Sequence, residues 1–71
     1  MQNKQIGSII RKARLEQKMT QKQLADKIDI SDKAISKWEC GLGKPDIRLI
    51  LKLSNILEID VRDLLKLYEK P

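Results

Sequence analysis

Residues 20–39, TQKQLADKIDISDKAISKWE, hold two short helical patterns separated by a tight turn. Thr20 and Gln23 have the spacing of a capping box. In that arrangement the hydroxyl accepts from the Gln23 amide while the Gln23 side chain reaches back to the cap. Leu24, Ala25 and Ile28 recur at helical spacing and predict an inward face. Asp29 and Ile30 form the turn. Asp29 stands where a left-handed backbone is needed; aspartate suits that conformation less well than glycine but is enriched in it. Ser31 is a good N-cap for the next helix, and Asp32 suits its positive end. That pattern runs to about Glu39, with Gly41 as its stop. Ile35 and Trp38 share one face, which leaves Asp32, Lys33, Ser36 and Lys37 outward. Helices that cross steeply need a small residue where their backbones approach, and Ala25 occupies that place.

The rest of the chain extends the helical reading. Residues 4–17 place Ile6, Ile10 and Ala13 on one face, with Lys4, Arg11, Lys12 and Arg14 supplying polar surface. Lys18 and Met19 then turn the chain. GLGKP at 41–45 is the strongest breaker. Asp46 can cap a fourth helix through about Leu57, with Leu49, Ile50, Leu53, Ile56 and Leu57 inward. Asp60 can cap a short fifth helix with Leu64 and Leu65 inward. No run alternates with period two. The expectation is an all-α domain of five helices occupying residues 1–71.

Seventy-one residues allow one domain, and a chain this short buries only about 60% of its unfolded surface. The chain has little room for an active-site cleft. Hydrophobic residues are 41% of the chain, which supports a packed core, and the 35% that are charged are of mixed sign. A single cysteine, Cys40, excludes an intramolecular disulfide and suits a reducing compartment. MQNKQIGSII lacks the apolar run of a secretory signal, and no stretch approaches the ~20 apolar residues of a membrane span. The expected location is cytoplasmic, with no membrane partner.

The net charge of +5 is unevenly spread: residues 1–52 hold twelve Lys/Arg against six Asp/Glu, whereas residues 53–71 hold three against four. The positive field thus belongs to the part containing the two-helix unit, as in a polyanion binder. Catalytic parts are missing. There is no histidine, and GLGKP has neither the spacing nor the context of a phosphate-binding loop. Ser31, Ser36, Lys33 and Lys37 put hydroxyls near amines, but on an exposed helix with no oxyanion site. The expectation is a binding protein, not an enzyme, without cofactor or metal. Two short helices around a tight turn have one dominant use, the insertion of the second helix into the major groove of DNA.

These segments resemble the Cro/CI-type (XRE) helix-turn-helix family of phage and bacterial transcriptional regulators. IGSIIRKAR is similar to the first helix of that family and MTQKQLADKI to the second. ISDKAISKWECG resembles the recognition helix with its trailing glycine, and KPDIRLILKLSNILEIDVRDLL the fourth and fifth helices. The resemblance covers residues 6–65 and departs at Asp29, where the family often has glycine. It implies a lambda-repressor-like fold, a double-stranded DNA operator and a transcriptional regulator, expected to be a repressor. Base reading would fall to Asp32, Lys33, Ser36 and Lys37. Lysine can donate to guanine O6 or N7, and aspartate can accept from cytosine N4. Asp32 has a second reading as a helix-start charge only, and both lysines a second reading as a solvated face. Phosphate contacts would come from Gln21, the family's usual backbone-contacting glutamine, and from Lys44, with Lys22 and Lys18 as weaker candidates.

Arg14 and Glu39 resemble a family bridge that ties the first helix to the end of the recognition helix. If exposed, such a bridge is worth only ~0–1 kcal/mol, and its value would be orientation. The family usually dimerises on two-fold operators. Ile59, Val61, Leu64, Leu67 and Tyr68 are the candidate surface for a weak homodimer, with Leu64 having a second reading as core. A second reading keeps the fold but makes it an antitoxin or other protein-interaction module.

Overall fold

The computed structural model describes the backbone of residues 4–65 and the side chains from Gly7 onward. Within that range lie helices α1 (Lys4–Glu16), α2 (Gln21–Ile28), α3 (Asp32–Glu39), α4 (Ile50–Leu57) and α5 (Val61–Leu65), with a 3-10 turn at Ile47–Leu49. No strand occurs among the described residues. The all-α, five-helix expectation matches what is observed.

Helices α2, α3 and α5 and the 3-10 turn begin where a side chain accepts a free backbone amide. Thr20 Oγ1 accepts from the Gln23 amide at 3.0 Å while the Thr20 amide donates to Gln23 Oε1 at 2.8 Å, completing the capping box. Ser31 Oγ accepts from the Ala34 amide at 3.3 Å. Asp46 and Asp60 accept the backbone amides of Arg48 and Arg62 at 2.9 and 2.8 Å. One boundary differs from expectation. Asp46 caps a 3-10 turn, and α4 proper starts only at Ile50. The Leu49 amide bonds the Asp46 carbonyl at 2.8 Å, a three-residue closure that tightens the first turn.

Helix ends share one device. Lys18, Asp29, Gly41 and Glu58 follow α1 to α4 with φ of 58°, 61°, 76° and 56°. The next residue then bonds back across the last turn: Met19 to the Arg14 carbonyl, Ile30 to Ala25, Leu42 to Lys37 and Ile59 to Ser54, at 2.9–3.1 Å. This is the Schellman closure, which satisfies carbonyls the helix leaves open. Asp29 adopts the left-handed conformation expected of it. Met19, Ile30 and Ile59 also pack on the core, as the apolar residue of that motif commonly does.

Ile10 and Ala13 of α1, Leu24, Ala25 and Ile28 of α2, and Ile35 and Trp38 of α3 are all buried. Ile50, Leu53 and Leu57 of α4 and Leu64 of α5 complete the core. Burying one large aliphatic side chain is worth about 1.5–3 kcal/mol relative to exposure, so α3 stays on the domain through one face of two anchors. Helix α3 packs against both α1 and α2, α4 touches α1 and α2, and α5 packs on α4.

Gly7 makes the contact between α1 and α3 possible. A Cβ there would lie 2.6 Å from the carbonyl oxygens of both Trp38 and Glu39. Those are backbone atoms, so no flexible side chain can yield. The Ile6 side chain, expected on the same face, lies outside the described residues.

Candidate nucleic-acid interface

The inward anchors of α3 decide what its other side presents. Ile35 is fully buried and Trp38 is 7% exposed, so the tryptophan packs. Asp32, Lys33 and Lys37 are exposed and Ser36 is half-buried. The side chains of Asp32, Lys33 and Lys37 make no hydrogen bond or ion pair with another described residue. The four residues expected to read bases therefore lie together on one short helix. An α-helix of this width can enter the major groove, which is about 12 Å wide.

The residues expected at phosphates behave differently from one another. Lys18, Lys22 and Lys44 are exposed. Lys18 and Lys22 flank the start of α2, where unpaired amides favour anions. Lys44 lies in the loop after α3. Gln21 is half-buried, and its Nε2 donates to Glu39 Oε1 at 3.1 Å. Its side chain is thus held by α3 and does not swing freely at the helix start.

Glu39 is the hub of this contact. Arg14 Nε donates to its Oε2 at 2.6 Å and Nη2 to its Oε1 at 3.0 Å, while Nη1 donates to the Met19 carbonyl at 2.7 Å. The Arg14 and Glu39 side chains are 10% and 4% exposed. The bridge expected from the sequence exists, but the surface value of ~0–1 kcal/mol does not apply to it. A buried pair can contribute little net stability, yet removing one partner strands a charge away from water. The network ties three helices: Arg14 from α1, Gln21 from α2 and Glu39 from α3.

Two further pairs have the spacing Asp-x-Arg. Arg48 folds back on Asp46, and Arg62 on Asp60, at 3.0 and 2.8 Å. The Arg48 side-chain bond, then its backbone amide, lowers the Asp46 carboxyl from 3.8 to about 2. The Asp60 bond likewise raises the Arg62 guanidinium above its ordinary value. Both arginines thus sit beside a carboxylate.

The expected dimer surface needs correction. Leu64 is fully buried, because α5 uses that residue to hold α4. Ile59 and Val61 are half-buried against the core. Leu67 and Tyr68 lie outside the described residues. No group of side chains among the described residues could hold a metal ion, and no described helix is long and apolar enough to cross a membrane.

Known proteins resemble this chain in sequence. The helix-turn-helix family model matches residues 10–64. The HTH-type transcriptional regulator YqaE of Bacillus subtilis is 37% identical over 57 residues, covering 80% of this chain and 49% of its own. The SPbeta prophage-derived HTH-type transcriptional regulator YonR of the same organism is 35% identical over 60 residues, covering 84% and 56%. Multiprotein-bridging factor 1 of Candida albicans is 37% identical over 57 residues, covering 80% and 38%. The chain thus spans about half the length, or less, of these relatives. The match includes both helices of the turn unit and the core that carries them, and the chain belongs to the Cro/CI-type (XRE) helix-turn-helix family.

Proposed function

We propose that the chain is a sequence-specific, double-stranded DNA-binding transcriptional regulator, a repressor that places α3 in the major groove. The observation that carries this reading is the division of α3. Ile35 and Trp38 fix one face in the core while Asp32, Lys33, Ser36 and Lys37 occupy the other. Lys33 and Lys37 donate to guanine edges, and Asp32 accepts from cytosine. Lys18, Lys22, Lys44 and the Gln21 amide hold the backbone. The relatives named as transcriptional regulators support the reading. The proposed module works by binding, without catalysis or cofactor, in the cytoplasm.

One domain reads too few base pairs for useful selectivity, so we propose a weak homodimer on a two-fold operator. Half-sites on one face of the duplex lie about 34 Å apart. The domain measures 33 × 22 × 21 Å, so copies at that spacing meet when the longest axis runs along the duplex. The edge formed by the loop before α5 and α5 itself remains the proposed contact, without Leu64.

Selection of bound duplexes from a random pool, at stated salt, tests the proposal through the operator and its symmetry. Salt matters because counterion release dominates affinity. Lys33→Ala should then cost about 1–3 kcal/mol at the selected site and relax preference at one position. Equal binding of selected and random duplex by wild type and variant rejects base reading. A reporter carrying the operator distinguishes repression from activation.

A second reading, protein interaction, draws on two observations. One relative is named a multiprotein-bridging factor. Leu42, Ile47 and Leu51, within ten positions of one another between the end of α3 and the first turn of α4, are 73%, 59% and 63% exposed. Partner capture that survives Lys33→Ala in a chain without DNA affinity selects this reading.

A further inference from the structure

We infer that Glu39 is a positioning residue for backbone binding: it presets the Gln21 amide, so the phosphate contact at the start of α2 is prepared by the ion pair joining α1 to α3. The inference rests on the DNA-binding reading above. A carboxylate only accepts hydrogen bonds, so Glu39 selects the nitrogen end of the Gln21 carboxamide and turns its oxygen away. One Nε2 hydrogen goes to Glu39 Oε1 at 3.1 Å. The second lies in the amide plane at a fixed angle and remains for a phosphate oxygen. A glutamine without that partner has several rotamers and either amide end to present, and ordering it on binding costs affinity.

The charge arrangement explains why a carboxylate can stand so near a phosphate contact. Arg14 engages both Glu39 oxygens, which cancels the repulsion that a lone carboxylate would exert on DNA. The third Arg14 contact, Nη1 to the Met19 carbonyl at 2.7 Å, commits the guanidinium to the interior. Arg14 therefore serves DNA binding through Glu39 and Gln21 and not by touching the backbone itself. Because Glu39 ends α3, the same bond ties the backbone-gripping residue of α2 to the helix that reads bases.

The test is a cycle in the full chain. It compares wild type, Gln21→Met, Arg14→Met/Glu39→Met and the triple variant, by anisotropy on a selected duplex and an unrelated one at two salt concentrations. Gln21→Met should weaken both duplexes by about 3–10-fold, the cost of one ordered contact. The salt slope should not change, since a neutral amide releases no counterion. Arg14→Met/Glu39→Met should weaken both duplexes comparably, and adding Gln21→Met should then cost less than twofold. Wild-type affinity in the Arg14→Met/Glu39→Met variant, or the same Gln21→Met factor in both backgrounds, overturns the positioning role. The Gln21 side-chain amide resonances of free wild type give a readout independent of that variant's folding. A resolved, shifted pair is expected, and a pair at the positions of free glutamine overturns the inference. If wild type binds no duplex, the DNA reading falls and takes this inference with it. If wild type binds and Lys33→Ala relaxes specificity while the cycle is additive, only the positioning role falls.

Discussion

Glu39→Ala should be the most damaging single change to a charged side chain in this domain. The Glu39 carboxylate accepts from Arg14 Nε at 2.6 Å, from Arg14 Nη2 at 3.0 Å and from Gln21 Nε2 at 3.1 Å. Without it the Arg14 guanidinium, 10% exposed, keeps only the Met19 carbonyl. Stranding a buried charge in this way costs about 3–5 kcal/mol. With both side chains so far from water, little screening reduces that figure. At about 0.05–0.15 kcal/mol per residue, a domain of 71 residues has roughly 4–10 kcal/mol in total. The variant should therefore lose about half its stability, and at about 4–8 °C per kcal/mol its Tm should fall by more than 10 °C. Arg14→Met/Glu39→Met removes both charges and fills the space with apolar atoms. It should recover wild-type stability or exceed it, as apolar replacements of buried pairs often do. Urea unfolding followed by Trp38 fluorescence and by far-ultraviolet circular dichroism measures each variant. A loss below about 1 kcal/mol for Glu39→Ala would show that water reaches Arg14 and that the pair behaves as a surface bridge. Equal losses for the single and double variants would place the energy in packing and not in charge.

Gly7→Ala puts a methyl 2.6 Å from two backbone carbonyl oxygens, so α1 must move off the end of α3. Despite the ~1 kcal/mol helix-propensity gain of Ala over Gly, thermal melting should show a net loss of about 1–3 kcal/mol, and a raised Tm would refute the close approach. Glu58→Gly should stabilise by about 0.5–1 kcal/mol in a urea melt, because a left-handed backbone at φ 56° costs a side-chain-bearing residue about 1–2 kcal/mol; Asp29→Gly should gain less, since aspartate tolerates that conformation better, and losses at both sites would refute the assignment. The Asp46 carboxyl is lowered from 3.8 to about 2 by Arg48, so its contribution is present above pH 3.8 and lost as the pH falls through 2. The Tm gap between wild type and Asp46→Asn should therefore shrink as the pH falls from 4 toward 2, and a gap unchanged across that range would contradict the pairing.

What was legible in the chain is what short-range rules govern. The capping box of Thr20 and Gln23, the Ser31 cap, the left-handed Asp29 and the single inward face of Ile35 and Trp38 all involve residues within a few positions of one another. Helical periodicity and cap chemistry act over that same range, so α2, α3 and the outward set Asp32, Lys33, Ser36 and Lys37 could be read directly. The 3-10 start of α4 escaped that reading because a cap specifies a beginning but not the tightness of the turn that follows. The Asp-x-Arg pairs lie within the same short reach, two positions apart.

The remaining decisions belong to residues far apart along the chain. Arg14 and Glu39 are 25 positions apart, and Gln21 and Glu39 are 18 apart. Resemblance supplied the pairing of Arg14 with Glu39, but no local rule states that both are buried, or that Gln21 joins them. Nothing local to Gly7 states that the backbone of α3 ends against it, and Leu64, inward by periodicity but also a candidate for the dimer surface, is fixed as core only because α5 closes over α4. Helical periodicity and capping determine which residues form a helix and which face turns inward. Water exclusion determines what a buried charge costs and where a side chain is required to be absent, and it arises only when the helices stack together.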